Sequence, residues 1–329
     1  MNSPRPYPYL VTGAAGFIGA RFVESCNRQK IPVISVDETP LFSSRPEHDQ
    51  IDYGLIVGRE NLWDWLETHT PQIGAIIHLG AITDTRETNL DQLNFFNLLY
   101  SQRLWECATR HSIPLLYASS AATYGDGKLG YDDDEGLIPQ LLPLNAYGDS
   151  KQKFDCWALD QERLGNHPPL WSGFKFFNVY GFGERHKDFM SSVVLHAYDQ
   201  IQASGRVTLF KSHKAGIADG HQKRDFIAVE DVVEALHFAA KKPIQRGIYN
   251  LGTGEARTFL DLVRAVFSAL GRPEKIEFID TPEILREKYQ YFTEAKMQRF
   301  IAQGYSRPLR SLEAGVEEYV RRLKKAQST

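Results

Sequence analysis

The sequence predicts an α/β fold, in which a doubly wound parallel sheet with helices on both faces is followed by a smaller C-terminal α/β domain. In the first half of the chain, short apolar runs alternate with longer amphipathic stretches, which is the pattern of β-α-β units. A glycine-rich segment at residues 12–19 joins the first apolar run to the first amphipathic stretch, where such folds bind ligands. These two observations place the expected site at the carboxyl ends of the strands.

The elements of the first half follow from these runs in chain order. Each predicted strand is a short apolar run that ends near glycine, aspartate or serine, and each predicted helix is a longer amphipathic stretch. The predicted strands are 9–11, 32–36, 75–79, 114–118 and 173–177, and the predicted helices are 17–28, 89–111 and 147–163.

Beyond Gly183 the alternation is less regular. The segment 258–270 is predicted to be a helix because Gly271 is a typical C-terminal stop. The strand at 247–251 is expected to return to the main sheet. The remaining predicted elements are helices at 189–204, 229–241 and 311–324, a strand at 207–210 and a polar loop at 211–222.

Composition excludes several classes of function. The formal net charge is −3, so no overall charge draws the chain to nucleic acid or to anionic membranes. The histidines and the three cysteines show no metal-ligand spacing, and we read the acidic run at 132–135 as a solvated loop, so no metal site is expected. No apolar run approaches ~18 residues, and the N-terminus lacks the apolar core of a signal peptide. We therefore expect a cytoplasmic protein with reduced thiols.

The segment Thr12-Gly13-Ala14-Ala15-Gly16-Phe17-Ile18-Gly19 predicts a dinucleotide site. Gly13 allows a tight turn, Gly16 lets a pyrophosphate approach the backbone, and Gly19 lets the helix pack closely on the sheet. The helix N-terminus offers free N–H groups to the phosphates. Together with Asp37 about 20 residues later, this spacing indicates a Rossmann-type sheet.

Asp37 ends the second predicted strand, where a carboxylate can bind the ribose hydroxyls of the adenosine. Because Glu38 follows it, two acids disfavour a 2′-phosphate, which favours NAD over NADP. Arg45 is the nearby cation that could reverse this preference. The expected cofactor contacts along these strand ends also include Phe17, Ile18, Leu79, Gly80, Ala81 and Thr83.

Tyr147 and Lys151 are four residues apart in a predicted helix, so both side chains lie on one face. A free tyrosine has a pKa near ~10, and lowering it to about 7 requires roughly 4 kcal/mol. One cation at about 4 Å, at an effective dielectric constant of ~20, supplies roughly that much. We therefore predict that Tyr147 is a general acid/base beside a redox cofactor. Ser120, at the carboxyl end of the 114–118 strand, is placed to bind the reacting oxygen and share its proton with Tyr147.

These pieces resemble the extended branch of the short-chain dehydrogenase/reductase family over nearly the whole chain. The resemblance implies that Tyr147 is the acid/base, and that Lys151 binds the nicotinamide ribose and lowers the pKa of Tyr147. It also implies that Asn97 contacts the cofactor. The matching segments are Ser119-Ser120-Ala121-Ala122-Thr123-Tyr124-Gly125, Tyr147-x-x-x-Lys151, Phe177-Asn178-Val179-Tyr180-Gly181, Arg224-Asp225-Phe226 with Asp231-Val232, and Asn250-Leu251-Gly252-Thr253-Gly254.

Several segments resemble one subfamily, the ADP-glycero-manno-heptose 6-epimerases of lipopolysaccharide core synthesis. They are 117–125, 177–181 followed by His186-Lys187, 223–226 and 288–293. The resemblance implies that Lys187 is a second acid/base facing Tyr147 across the sugar, and that Lys187 and Val179 also contact the cofactor. It implies NADP as cofactor, whereas Asp37-Glu38 favours NAD. The residues implied to line the nucleotide-sugar pocket are Asn178, His196, Phe210, Arg224 and Tyr289.

The expected division of the chain follows from this site. Residues 1–185, joined by 229–256, form the NAD(P)-binding domain, and residues 186–228 and 257–329 form the substrate-binding domain. The expected partner is a nucleotide sugar, with no nucleic acid and no membrane, and the expected assembly is a homo-oligomer.

Other readings stay open. A UDP-hexose 4-epimerase, a sugar-nucleotide reductase and a non-catalytic dinucleotide-binding protein share these motifs. A 4,6-dehydratase is disfavoured, because its usual Asp-Glu is replaced by Ala121-Ala122.

Overall fold

A computed structural model describes residues 7–68, 72–286 and 290–327 of the chain. The strands in this part are β1 (Tyr9–Thr12), β2 (Val33–Asp37), β3 (Leu55–Gly58), β4 (Ala75–His78), β5 (Leu115–Ser120), β6 (Trp171–Phe176), β7 (Asn178–Tyr180), β8 (Val207–Phe210), β9 (Lys223–Ala228), β10 (Gly247–Leu251), β11 (Ala256–Thr258) and β12 (Ile276–Ile279). The α-helices are α1 (Phe17–Arg28), α2 (Leu62–Thr68), α3 (Leu90–Leu93), α4 (Tyr100–Arg110), α5 (Ala146–Arg163), α6 (Val193–Ser204), α7 (Val229–Lys241), α8 (Phe259–Leu270), α9 (Glu283–Arg286), α10 (Gln298–Ala302) and α11 (Leu312–Gln327).

The main sheet has seven strands in the order β10-β6-β5-β4-β1-β2-β3. The pairings of β1 with β2 and β4, of β2 with β3 and of β4 with β5 are parallel. The chain therefore runs outward from β1 in one direction through β2 and β3, and in the other through β4, β5 and β6. This confirms the doubly wound fold, and it places the switch in strand order between β1 and β4, where such sheets bind ligands. The strand at 247–251 returns to this sheet as predicted.

The chain separates into two compact units. The first consists of residues 1–120, 146–175 and 233–249, and the second of residues 121–145, 176–232 and 250–329. The second unit contains two small sheets, β11-β9-β7 and β12-β8. Its apolar core is formed by the buried faces of α6, α8 and α11 together with these strands.

Several predicted elements are confirmed at their bounds, among them α1, α7 and β10. The helix 258–270 is confirmed as well, since Thr258 caps its N-terminus and Gly271 ends it with a φ of +65°. The predicted single helix at 89–111 is interrupted by a π-helical segment, Asn94–Leu99, and π-helical segments are frequent at functional sites.

Other predictions are wrong in part. β3 and α2 were not predicted. β3 is a short edge strand whose first two residues are exposed, so its sequence lacks the pattern of a buried strand. The predicted helix at 189–204 begins at Val193, after the cap Ser192. Residues Arg185–Met190 form a separate 3₁₀ segment with a non-helical φ of 46° at Asp188. β5 extends through Ser120, two residues beyond its predicted end.

In the described parts of the chain, helices that combine the length and the apolar character needed to cross a bilayer are absent.

Candidate active site

Close backbone contacts shape the glycine-rich turn between β1 and α1. Gly13 has a φ of +67°, and a Cβ atom there would lie 2.6 Å from the amide nitrogen of Gly80. A Cβ atom on Gly19 would lie 2.0 Å from the carbonyl oxygen of Gly13. Gly16 caps the N-terminus of α1, and a Cβ atom there would meet that same carbonyl at 3.0 Å. The turn therefore fits a pyrophosphate that approaches the backbone at Gly16 and the start of α1, close to Phe17 and Ile18.

Gly13→Ala is expected to weaken dinucleotide binding and to destabilise the fold. The added methyl group would collide with Gly80, and holding alanine at a positive φ costs about 1–3 kcal/mol. Calorimetric titration with NAD(H) and thermal unfolding measure the two effects. Gly165→Ala is the control, because Gly165 has a similar φ of +76° but, among the described residues, no atom within 4 Å of its Cβ position. Unchanged dinucleotide affinity in Gly13→Ala would contradict the assigned role of this turn.

Asp37 lies at the end of β2 and holds the turn. Its carboxylate accepts hydrogen bonds from the N–H groups of Ala15 (3.0 Å) and Glu38 (2.9 Å). Burial raises the pKa of Asp37, and these hydrogen bonds oppose the effect. Arg45 donates a hydrogen bond to the carbonyl oxygen of Ala15. Asp37 and Arg45 are therefore brought together at the expected adenosine end.

A second cation lies at this end, which corrects the expectation that Arg45 alone could reverse the cofactor preference. Arg59 lies 2.8 Å from the carboxylate of Glu38, and its guanidinium lies 4.3 Å from the centre of the Phe96 ring. Because β3 pairs with β2 so that Gly58 lies opposite Asp37, Arg59 directly follows β3 at the level of Glu38. Sequence reasoning missed this neighbour because it missed β3.

A buried histidine joins the carboxyl ends of β1 and β4. The Nδ1 atom of His78 lies 2.6 Å from the hydroxyl of Thr12, and its Nε2 atom lies 2.8 Å from the hydroxyl of Ser101. Burial lowers the pKa of His78 to about 3, with a smaller contribution from Lys151, so its ring is neutral. Thr12 also accepts a hydrogen bond from the N–H of Gly80. The predicted contacts Leu79, Gly80 and Ala81 are therefore held, half-buried, at the switch in strand order, and Thr83 is exposed beyond them.

Asn97 lies in the π-helical segment and is fully buried. Its amide accepts a hydrogen bond from the N–H of Ile82 at 2.8 Å and donates to the carbonyl of Ile82 and to the hydroxyl of Ser150. These three bonds fix the loop after β4 against the helix that carries Lys151. The cofactor contact predicted for Asn97 stays a prediction.

Tyr147, Lys151 and Ser120 are brought together as the spacing predicts. Tyr147 and Lys151 lie in the first two turns of α5, and Ser120 is the last residue of β5. The Ser120 side chain is hydrogen-bonded to Tyr147. The Lys151 ammonium is buried and donates a hydrogen bond to the carbonyl of Ala118 at 3.0 Å.

The pKa values of this pair differ from the expectation. Burial raises the pKa of Tyr147, although the hydrogen bond with Ser120 lowers it. Burial also lowers the pKa of Lys151 to about 8. Burial of both groups therefore acts against the predicted lowering of the pKa of Tyr147 by Lys151.

Lys187, the predicted second acid/base, lies in the second unit within Arg185–Met190. Burial lowers its pKa, and the charge of Glu184 opposes this. Glu184 is fully buried and accepts hydrogen bonds from the N–H of Ser192 at 2.7 Å and from its hydroxyl at 2.5 Å. Glu184 thus anchors the segment that carries Lys187, a role that sequence reasoning missed.

The predicted substrate residues that the structure describes all lie in the second unit. β7 begins at Asn178 and includes the half-buried Val179, and it pairs with β9, which carries Arg224. Arg224 is buried and donates hydrogen bonds to the carbonyls of Lys223 and Gln290. Asn178 and Arg224 are thereby held on neighbouring strands.

The other substrate residues lie on α6 and β8. His196 lies on α6, with its Nε2 atom 3.3 Å from the hydroxyl of Ser191. Phe210 ends β8, and its carbonyl accepts a hydrogen bond from Gln222, which directly precedes β9. Tyr289 lies outside the described residues.

Asp225 ties two of the sequence motifs together. It is fully buried and accepts hydrogen bonds from the N–H (2.7 Å) and hydroxyl (2.7 Å) of Thr253 and from the N–H of Ala295 (2.9 Å). The motifs at 224–226 and 250–254 are therefore packed against each other within the second unit.

The acidic run at 132–135 is not wholly solvated, contrary to expectation. Asp133 is buried, and its carboxylate accepts a hydrogen bond from the N–H of Asn250 at 2.8 Å. Arg299 donates hydrogen bonds to the carbonyl of Asp133 and the carboxylate of Glu135. The run fastens its loop to the C-terminal segment of the second unit.

Comparison with known proteins agrees with this geometry. The model of the NAD dependent epimerase/dehydratase family matches residues 9–252. An ADP-L-glycero-D-manno-heptose-6-epimerase of Fusobacterium nucleatum subsp. nucleatum is 43% identical over 328 residues, covering 94% of this chain and 96% of that protein. The enzyme of the same name from Nitratidesulfovibrio vulgaris is 44% identical over 319 residues, covering 95% of this chain and 97% of that protein.

A solved structure is also similar. The crystal structure of Helicobacter pylori ADP-L-glycero-D-manno-heptose-6-epimerase matches with a TM-score of 0.78 and 26% sequence identity, covering 99% of this chain and 97% of that chain. The family model extends from β1 to the end of β10, and the relatives align over nearly the whole sequence. With the glycine turn and the Tyr147–Lys151 pair in place, the chain belongs to the NAD dependent epimerase/dehydratase family.

Proposed function

We propose that this protein is a nucleotide-sugar epimerase that inverts C6 of an ADP-linked glycero-manno-heptose through internal NAD(P) redox chemistry, in the synthesis of lipopolysaccharide core heptose. The observation that carries this proposal is the near full-length similarity to relatives of that activity, at 43% and 44% identity. The clustering of Tyr147, Lys151 and Ser120 supports it, because a scaffold without catalysis has no use for a buried acid/base pair beside a dinucleotide turn.

We infer a division of labour between the two units. The first contains the glycine turn, Asp37, Asn97 and the Tyr147–Lys151 pair, and we assign the dinucleotide to it. The second contains the described residues that the resemblance assigns to the sugar nucleotide, and we assign the substrate to it. Arg224 suits a diphosphate, because a guanidinium binds phosphate oxygens in bidentate fashion.

The residues of the chain transfer protons and position the substrate and the cofactor. When bound, the oxidised nicotinamide accepts and returns a hydride, and its positive charge favours the Tyr147 phenolate. Tyr147 removes the proton of the sugar hydroxyl, and Ser120 hydrogen-bonds both the phenol and the reacting oxygen. Lys151 keeps a positive charge beside Tyr147 and holds the nicotinamide ribose. Lys187 serves as the second acid/base, which supplies a proton when the sugar ketone is reduced.

Turnover of defined sugars tests the proposed function. We expect the purified protein to convert ADP-D-glycero-D-manno-heptose to its L-glycero epimer, observed by NMR, without consuming free NAD(P)H. Conversion of UDP-galactose instead would establish the 4-epimerase alternative, and stoichiometric consumption of NAD(P)H would establish a reductase. Tight dinucleotide binding with no turnover on a panel of nucleotide sugars would establish a non-catalytic protein.

We propose that the cofactor is NAD, because Asp37 and Glu38 are two acids at the expected adenosine end, where they would repel a 2′-phosphate. The ion pair between Glu38 and Arg59 at 2.8 Å also engages the cation that would otherwise bind that phosphate. Mass analysis of the nucleotide retained on purification tests this directly.

Glu38→Ala is expected to shift the preference toward NADP by tenfold or more. The change removes one carboxylate and releases Arg59, and a hydrogen bond to a charged group is worth about 1.5–3 kcal/mol. The measurement is the ratio of the dissociation constants for NAD and NADP. The matched control is Glu38→Ala combined with Arg59→Ala, in which most of the gain should be lost. Equal ratios in the two variants would show that Arg59 has no part in the choice.

A further inference from the structure

A buried ion pair lies one helical turn beyond Lys151. Asp155 follows Lys151 by four residues on α5, and Lys175 lies on β6. Both side chains are fully buried, and the Lys175 ammonium lies 2.6 Å from the Asp155 carboxylate. A buried ion pair is often no more stabilising than apolar side chains of similar volume, because both charges lose their hydration. Stability alone therefore does not account for this pair.

The contacts of Asp155 join α5 to the end of β5. Its carboxylate accepts hydrogen bonds from the hydroxyls of Tyr117 at 3.1 Å and Ser119 at 2.7 Å. Lys151 binds the carbonyl of Ala118, which lies between them. Three consecutive residues of β5 are thus held by two residues one turn apart on α5.

We call these contacts of Asp155 and Lys151 with residues 117–119 the clamp, and it lies next to the proposed catalytic residues. The next residue of β5 is Ser120, and one turn before Lys151 on α5 is Tyr147. These two side chains are hydrogen-bonded to each other. The clamp therefore sets the position of the Ser120 hydroxyl relative to the Tyr147 phenol.

The ion pair of Asp155 and Lys175 also affects the electrostatic potential at Tyr147 and Lys151. The negative charge of Asp155 raises the pKa of Tyr147 and that of Lys151. Lys175 lies in contact with Asp155 and offsets this field. Other titratable groups that face this cluster are the neutral His78 on β4, Tyr117 on β5 and Cys156 on α5, whose pKa is raised by burial.

We propose that Asp155 and Lys175 are positioning residues for catalysis: Asp155 clamps the end of β5 to α5, and its ion pair with Lys175 keeps the net charge beneath Tyr147 and Lys151 at zero. This proposal rests on the roles given to Tyr147 and Lys151 in the proposed function. If the pair acts on catalysis, removing the positive charge and removing the negative charge should shift the pH dependence of proton transfer in opposite directions. A purely structural ion pair would not have this effect.

Two single substitutions with opposite charge effects test the proposal. Lys175→Met removes a positive charge and is expected to move the pH profile of kcat to higher pH. Asp155→Asn removes a negative charge, keeps one of the two acceptor oxygens that Tyr117 and Ser119 use, and is expected to move the profile to lower pH. Asp155 lies two helical turns from Tyr147, about 12 Å along the axis. Over that distance a unit charge, at an effective dielectric constant of ~20, shifts a pKa by about one unit.

Two further variants are matched controls. Lys175→Arg keeps the charge, and Asp155→Asn combined with Lys175→Met removes both charges, so each is expected to keep the wild-type pH profile. If Lys175→Met does not fold, Asp155→Asn and the double variant still give the comparison. If the pair had only a structural role, all four variants would have lower thermal stability and the same pH profile as the wild type. That result would overturn the proposal.

A readout independent of turnover separates this proposal from the proposed function. The phenolate absorbance of Tyr147 is obtained as the difference between each variant and the same variant carrying Tyr147→Phe. We expect its titration midpoint to rise in Lys175→Met and to fall in Asp155→Asn, even if the protein acts on a different sugar nucleotide. Shifts of equal sign in the two single variants would refute the charge role of the pair.

Discussion

Tyr147→Phe is expected to reduce kcat for epimerisation by about 10²–10⁴-fold, the usual contribution of a positioned general acid/base. The phenyl ring keeps the shape of the side chain but removes the proton-transferring oxygen that Ser120 binds. Dinucleotide binding should be unaffected, because the glycine turn and Asp37 remain. Steady-state kinetics and mass analysis of the bound nucleotide measure these two properties.

The control for this substitution is Tyr7→Phe, since Tyr7 is exposed. It should leave kcat unchanged. Normal turnover by Tyr147→Phe would mean that another group transfers the proton. Loss of the nucleotide together with activity would instead point to a structural defect.

Lys151→Met is expected to reduce kcat by about 10²–10³-fold, because it removes both the positive charge beside Tyr147 and the hydrogen bond to the carbonyl of Ala118. The control is Lys153→Met on the same helix. Lys153 is exposed and forms a surface ion pair with Asp149 at 2.7 Å, and such pairs contribute about 0–1 kcal/mol. Similar losses in the two variants would contradict a specific role for Lys151.

The wild-type enzyme is also expected to lose activity as the pH rises through about 8. Burial lowers the pKa of Lys151 to about 8, so its protonated form is present below that pH and disappears above it. Since the proposed role requires the ammonium, activity should follow the protonated form. A pH profile of kcat for the wild type and for Lys151→Arg checks this, because arginine keeps its charge at these pH values. A descending limb unchanged in Lys151→Arg would assign it to another group.

Local patterns predicted much of the fold. α1 and α7 were placed at their bounds because each is a continuous amphipathic stretch. β3 was missed because two of its four residues are exposed at the sheet edge, and that omission hid Arg59 from the cofactor argument. The π-helical segment at Asn94–Leu99 was missed because its residues share the amphipathic character of the flanking helices.

The positioning residues could be found in the sequence only in part. The four-residue spacing from Tyr147 to Lys151 continues to Asp155, and a charge on the buried face of a helix indicates a buried partner. Nothing in the sequence identifies that partner as Lys175, because it lies on another strand. Glu184 was also missed, since its contacts with Ser192 depend on the local fold of the 3₁₀ segment.

The sequence by itself determined the alternation of strands and helices, the glycine turn and the helical face shared by Tyr147 and Lys151. These depend on residues close together in the chain, whose spacing is fixed by helix and strand geometry. Only the tertiary structure decided the pairing of Glu38 with Arg59, the contacts of Asp155 with β5 and with Lys175, and the direction in which burial shifts the pKa of Tyr147. Burial and contacts between distant segments set these properties, and neither is encoded in local spacing.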